Sequence, residues 1–215
     1  MNTKTKKLTT LAMLSAMAYV LMFISKAIPA VQGFLQYDAK DIVITIGGFI
    51  LGPWYALIIS VVVAVLELFT VSDTGFIGLI MNIISTAAFA CTASFIYHKI
   101  KNMKGAFISL AVATIVLTAV MLLWNYYITP LYMKIPREVI TPMLPTVFLP
   151  FNLVKGLINS GFILLTYKPI VSALQKAGLV QTKTAHKKMF MPALITGIIL
   201  VVIFIPVILH MANVL

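Results

Sequence analysis

The chain is poor in most of what a soluble enzyme of its size carries. Only 10% of its 215 residues are charged, where a soluble domain has about a quarter. Acidic residues are scarcest, five in all against sixteen lysines and arginines. Glu67 alone stands clearly inside an apolar run, so there is no chain of buried carboxylates to couple transport to an ion. Nor is there a repeated acidic or histidine constellation of the kind a lipid-modifying membrane enzyme needs. Cys91 is the single cysteine, which excludes an internal disulfide and a cysteine-based metal site. No G-x-x-x-x-G-K-[ST] loop is present, so the chain has no ATP-hydrolysing site of its own, and H-E-x-x-H and G-x-S-x-G are missing too. His98, His186 and His210 stand at the ends of apolar runs, badly placed for an intramembrane metal or nucleophile. Neither catalytic residues nor a metal site are expected. The inverted repeats of many secondary transporters are also not visible.

What the chain has is hydrophobic length. Apolar residues make up 61% of it, and runs appear at 8–28, 42–71, 75–97, 106–128, 148–168 and 189–210. A membrane-crossing helix needs about 20 apolar residues, so 42–71 is too long for one. Gly47-Gly48 and Gly52-Pro53 interrupt it, a turn signal that splits it into a short 42–52 and a full 54–71. The run 8–28 is longer than a signal peptide's apolar region of about 7–15 residues and is read as a retained helix. The net charge of +11 does not indicate nucleic acid, because the cations lie in short runs between apolar segments. Lys4, Lys6 and Lys7 form one run, His98, Lys99, Lys101 and Lys104 a second, and Lys168 to Lys188 a third. All three face the cytoplasm only if 42–71 is two segments. The reading is an all-α, multi-pass membrane protein with a cytoplasmic N-terminus and seven helices, in a single transmembrane domain over 1–215.

Within this frame Lys155 stands out, because it lies inside the span 148–168. A lysine at the centre of such a helix costs about 2.5–3.5 kcal/mol on insertion scales. Asn152, Lys155 and Asn159 fall within about 60° of one another at helical spacing, one polar stripe. Asn125, Glu67 and Asn82 lie at similar depth in other spans, and Asp38 and Asp41 flank the entry to 42–52. Bland explanations stand beside the functional one. Lys155 is only about 10 Å below the start of its helix, within snorkelling reach. Glu67 could be its structural partner, the asparagines could join neighbouring helices, Asp38 and Asp41 could cap a helix, and Trp124, Tyr126 and Tyr127 could be an interfacial belt. Taken together, amides, a lysine, a glutamate and aromatics at one depth describe a pocket for a planar polar ligand. Two outer loops, 29–40 and the proline-rich 129–146, lie on the same side.

Several stretches resemble one family. They are Phe34-Leu35-Gln36-Tyr37-Asp38-Ala39-Lys40-Asp41-Ile42 with Ile46-Gly47-Gly48-Phe49 and Gly52-Pro53; Gly75 through Asn82; Trp124-Asn125-Tyr126 with Thr129-Pro130-Leu131-Tyr132; and Leu149-Pro150-Phe151-Asn152-Leu153-Val154-Lys155-Gly156. In order and spacing these are similar to riboflavin-specific S components of energy-coupling factor (ECF) transporters. The similarity covers 8–178 and implies a six-helix substrate-binding core, to which 189–210 adds a seventh transmembrane helix. It implies an outward-facing pocket in which Asn125, Asn152 and Lys155 meet the flavin ring, with Leu35, Tyr37, Asp38, Glu67 and Asn82 as further contacts. Riboflavin is then cargo, and no cofactor is expected. The partners implied are a membrane coupling subunit and two cytoplasmic ABC ATPases, the first meeting the small-x-x-x-small pair Ala12 and Ala16. An S component for FMN or another planar vitamin is the alternative, and an ion-coupled transporter working alone is a more distant one.

Overall fold

A computed structural model describes residues 3–72, 74–180 and 190–212 of the chain. Helix α1 (Thr3–Ser25) is followed by a loop and then by α2 (Lys40–Leu51), which has 12 residues. At 1.5 Å per residue that is about 18 Å, too short to cross a bilayer core of about 30 Å. Gly52 ends it with a backbone φ of 115°, a conformation open to glycine, and Pro53 opens α3 (Pro53–Thr70), where a missing N–H costs nothing. A long helix follows, built from α4 (Gly75–Thr86), a π-helical turn at Ala87–Cys91 and α5 (Thr92–Ile100). Asn102 caps α6 (Met103–Tyr127), its Oδ1 accepting the Gly105 N–H at 2.7 Å. The chain then forms α7 (Thr129–Met133), α8 (Arg137–Met143), a π-helical turn at Leu144–Phe148 and α9 (Leu149–Lys176), and ends in α10 (Phe190–Met211).

Among the described residues, six helical segments are long and apolar enough to cross a membrane, and α2 is the short seventh. Two boundaries differ from the sequence reading. The stretch 129–146 is not an open loop, because α8 and the π-helical turn continue α9 outward, making one helical segment of Arg137–Lys176. Most of the prolines permit this: Pro136 stands just before α8, and Pro130, Pro145 and Pro150 each stand in the first turn of their element, where proline is tolerated. Pro142 lies inside α8, directly before the π-helical turn. At its other end α9 runs past 168 to Lys176. Lys183, His186, Lys187 and Lys188, with residue 189 where the last span was expected to begin, lie outside the described residues.

The short helix sits at the centre. Every residue of α2 from Lys40 to Phe49 is buried, and beyond the charged pair Lys40 and Asp41 its sequence is apolar on all faces apart from Thr45, as a fully enclosed helix requires. One side packs Ile42, Ile46 and Phe49 with Phe89, Leu117 and Ile163, and the other packs Val43 and Ile44 with Leu14, Ile59 and Val63. Large apolar residues pointing away from the bundle, such as Phe23, Phe69, Phe76 and Val202, meet lipid. Gly48 lets α2 lie against its neighbours: a Cβ there would come within 2.9 Å of Ser94 Cβ and 3.0 Å of Ala56 Cβ. Both contacts are to atoms that cannot swing away. Gly48→Ala is therefore expected to destabilise the bundle by about 1–3 kcal/mol through overpacking. A thermal melt in detergent checks this; an unchanged midpoint means that α2 is not so tightly enclosed.

Candidate ligand-binding site

The loop between α1 and α2 folds back on itself. Val31 and Leu35 exchange backbone hydrogen bonds at 2.9 and 3.0 Å around Gln32 and Gly33, both with positive φ. Gln36 Nε2 donates to the carbonyls of Lys26 and Ile28, each at 3.3 Å, and so ties the loop to the end of α1. At its far end Tyr37 donates its hydroxyl proton to Asn159 Oδ1 on α9 at 2.7 Å. Burial, and then the charges of Asp41 and Asp38, push the Tyr37 hydroxyl pKa well above its ordinary value, so the group stays a neutral donor.

Beneath the loop lies a network of buried charges. The Lys40 ammonium is in contact with the carboxylate of Asp38 and lies 2.8 Å from Glu67 Oε2. Its side chain is 1% exposed. Glu67 is held from two more sides, by Lys26 at 3.1 Å and by the Asn82 side-chain N–H at 2.9 Å. A cation at the start of α2 opposes the helix dipole, and the two carboxylates offset that. Burial favours the neutral form of Asp38, but the Lys40 ammonium, with Lys155 beyond it, outweighs this and holds the carboxyl below the usual carboxylate range. A depressed pKa stabilises the fold above the ordinary range and is lost only as the pH falls through the lowered value. The latch therefore persists through mildly acidic conditions.

Lys155 does not snorkel. It is 8% exposed, and its ammonium lies 3.6 Å from Asp41 Oδ2. Thr86 donates to the other oxygen of Asp41 at 2.7 Å. Glu67, one possible partner of Lys155 by depth, instead faces Lys40, Lys26 and Asn82, and Asp41 is the counter-ion of Lys155. The expectation of Asp38 and Asp41 as helix caps fails for Asp41, which lies buried inside α2. Asp38 Oδ1 does accept the Lys40 backbone N–H, at 3.1 Å.

Between the loop, α3, α4, the C-terminal end of α6, α7 and α9 is a cavity of about 400 Å³, within the usual small-molecule range of about 300–1,000 Å³. Leu35, Tyr37, Asp38, Glu67, Asn82, Asn125, Asn152 and Lys155 all line it. Asn125 donates to the Met121 carbonyl at 2.7 Å and accepts from Thr129 Oγ1 at 2.9 Å. Asn152 donates to the Phe148 carbonyl at 2.7 Å. Each carboxamide is thus held in a fixed plane by its own helix. Phe34, Trp124, Tyr132 and Phe151 add aromatic surface, and Lys26 stands at the edge. Sequence reading missed Lys26 and Lys40, which look like ordinary boundary cations. Ala12 and Ala16 are far from this site by position, on the exposed face of α1 opposite Leu14 and Ala18.

A preformed cavity held by paired charges and fixed amides, in a bundle of apolar helices, defines a membrane-embedded binding component. Residues 6–171 match the family described as ECF transporter, substrate-specific component, and the chain belongs to that family. It is a multi-pass transport subunit, not an enzyme. It is 32% identical over 178 residues to the riboflavin transporter RibU of Staphylococcus aureus, covering 80% of this chain and 93% of that one. It is 27% identical over 186 residues to the riboflavin transporter FmnP of Bacillus subtilis, covering 81% and 98%. Among solved structures it is similar, at 31% identity and a TM-score of 0.68, to the S component of a bacterial ECF transporter, over 80% of this chain and 99% of that one.

Removing one partner from a buried pair costs about 3–5 kcal/mol. Lys40→Met, which leaves Asp38 and Glu67 facing each other, is expected to lower the melting temperature sharply. A melt indistinguishable from wild type contradicts the network.

Proposed function

We propose that this chain captures riboflavin from outside the cell for ATP-driven uptake powered by partner subunits. The observation that carries the reading is the convergence of Asn125, Asn152 and Lys155 on one aromatic-lined cavity, in a chain whose relatives are named riboflavin transporters. The isoalloxazine ring has an apolar benzenoid end and a dione edge that alternates donors and acceptors. Asparagine offers both kinds of group and lysine only donors. In this reading Asn125, Asn152 and Lys155 meet the polar edge, Leu35 and the aromatic side chains cover the ring faces, and Tyr37, Asp38, Glu67 and Asn82 receive the ribityl hydroxyls. Riboflavin is cargo, and the site needs no cofactor.

The run Lys4, Lys6, Lys7 places the N-terminus in the cytoplasm by the positive-inside rule, which opens the cavity outward. Residues 8–178 form the binding core. ATP chemistry comes from two cytoplasmic ABC ATPases through a membrane coupling subunit, which approaches α1 along Ala12 and Ala16. Both are exposed, and small residues four apart let helix backbones come close in lipid.

Purified protein is expected to quench riboflavin fluorescence on titration. Lys155→Met removes a hydrogen bond from a charged group, about 1.5–3 kcal/mol, so its dissociation constant should rise tenfold or more in protein that a melt shows to be folded, although the midpoint also falls because buried Asp41 loses its counter-ion. Absence of quenching in wild type rejects the flavin reading. Ala16→Trp is expected to bind riboflavin normally in detergent yet fail to support uptake of labelled riboflavin by cells expressing the partner subunits. Normal uptake at normal expression removes Ala12 and Ala16 from the interface.

A further inference from the structure

Helix α10 begins beyond residue 171, where the family match ends, and none of its described residues lines the cavity. It packs along α9 over much of its length. The two approach at a glycine pair. A Cβ on Gly197 would lie 2.9 Å from the Gly161 carbonyl oxygen, and one on Gly161 would lie 3.1 Å from the Gly197 carbonyl oxygen. Backbone-to-backbone contact of this kind is how helices associate in lipid, where no hydrophobic force drives them together.

Towards the outer end α10 meets more than α9. Ile208, 3% exposed, and Ala212, 9% exposed, share one buried apolar cluster with Phe151, Val154 and Ile158 of α9 and with Val31 and Tyr37 of the first loop. Ile28 and Leu35 of the loop and Phe204 and Ile205 of α10 pack on the same cluster. The opposite face of α10, including Ile195, Ile199, Val202 and Ile203, is exposed and faces lipid. The loop is therefore held twice: by the polar latch of Tyr37 on Asn159 and of Asp38 on Lys40, and by an apolar seat that α10 completes.

We propose that α10 is a retaining helix for the loop over the cavity, with Ile208 and Ala212 as positioning residues that hold Val31 and Tyr37 against α9 and slow ligand release. The proposal rests on the reading of that cavity as the flavin site. Its effect is on dissociation, because the helix touches the lid and not the ligand, and most such changes are expressed in the off-rate.

The test uses the full chain with two variants, Gly197→Leu, which separates α10 from α9, and the milder Ile208→Ala. Hydrogen–deuterium exchange of the peptide spanning 28–37 is measured without ligand, and riboflavin dissociation is followed by recovery of flavin fluorescence. The expected result is faster exchange at the Val31 and Leu35 amides in both variants and dissociation about tenfold faster, with association little changed. Unchanged exchange in both variants overturns the proposal, and so does faster exchange with an unchanged dissociation rate. Failure of the wild-type chain to bind riboflavin would reject the flavin reading instead; the exchange data would then still decide whether α10 holds the loop.

Discussion

The Lys40 ammonium, enclosed between Asp38 and Glu67, is the interaction on which the cavity end of the bundle depends. A buried lysine is expensive to desolvate, and a pair recovers that cost only with good geometry and further hydrogen bonds. Here the further bonds exist: Glu67 is also held by Lys26 and Asn82, and Asp38 by the Lys40 backbone. The result ties the end of α1, the first loop, α2, α3 and α4 to one point. A helix of only 12 residues could not be fixed by spanning the bilayer, and this network fixes it instead.

The arrangement of the cavity follows. With Lys40 held, Asp41 one residue on meets Lys155 of α9 and Thr86 at the end of α4. Lys155 is thereby partnered and at the cavity wall without reaching for the membrane surface. Asn125 and Asn152 are set by bonds to their own helices. Side chains already ordered before a ligand arrives lose little entropy when it binds. Lys26, Lys40 and Lys155 stand against Asp38, Asp41 and Glu67, so the charges around the cavity balance within the protein, which suits an uncharged ligand.

Much of this was legible in the sequence because lipid imposes a simple rule on it. The long apolar runs gave the spans, Gly52-Pro53 gave the break after the short helix, and the resemblance of ordered motifs pointed to the family that the match over 6–171 establishes. Depth along a helix could be read, and it gathered Glu67, Asn82, Asn125 and Asn152 at one level with Lys155. Pairing could not, since groups at equal depth do not reveal which way their helices turn; that is why Glu67 stood as a possible partner of Lys155 and Asp41 did not. Lys40 was overlooked because beside Asp38 and Asp41 it reads as a wet boundary, and only packing shows it buried. The prolines of 129–146 suggested an open loop, yet Pro130 and Pro145 stand at first-turn positions compatible with helix, and Pro142 is taken inside α8 directly before a π-helical turn.

The central claim is that this charge-latched cavity holds riboflavin with its polar ring edge on α6 and α9. The most direct measurement is an experimental structure of the purified protein with riboflavin bound. The account predicts the ring beneath the loop of 26–39, with Lys155 Nζ and the amides of Asn125 and Asn152 within hydrogen-bonding distance of the dione edge. A flavin found elsewhere in the bundle, or in this cavity with that edge turned away from Lys155, would contradict it.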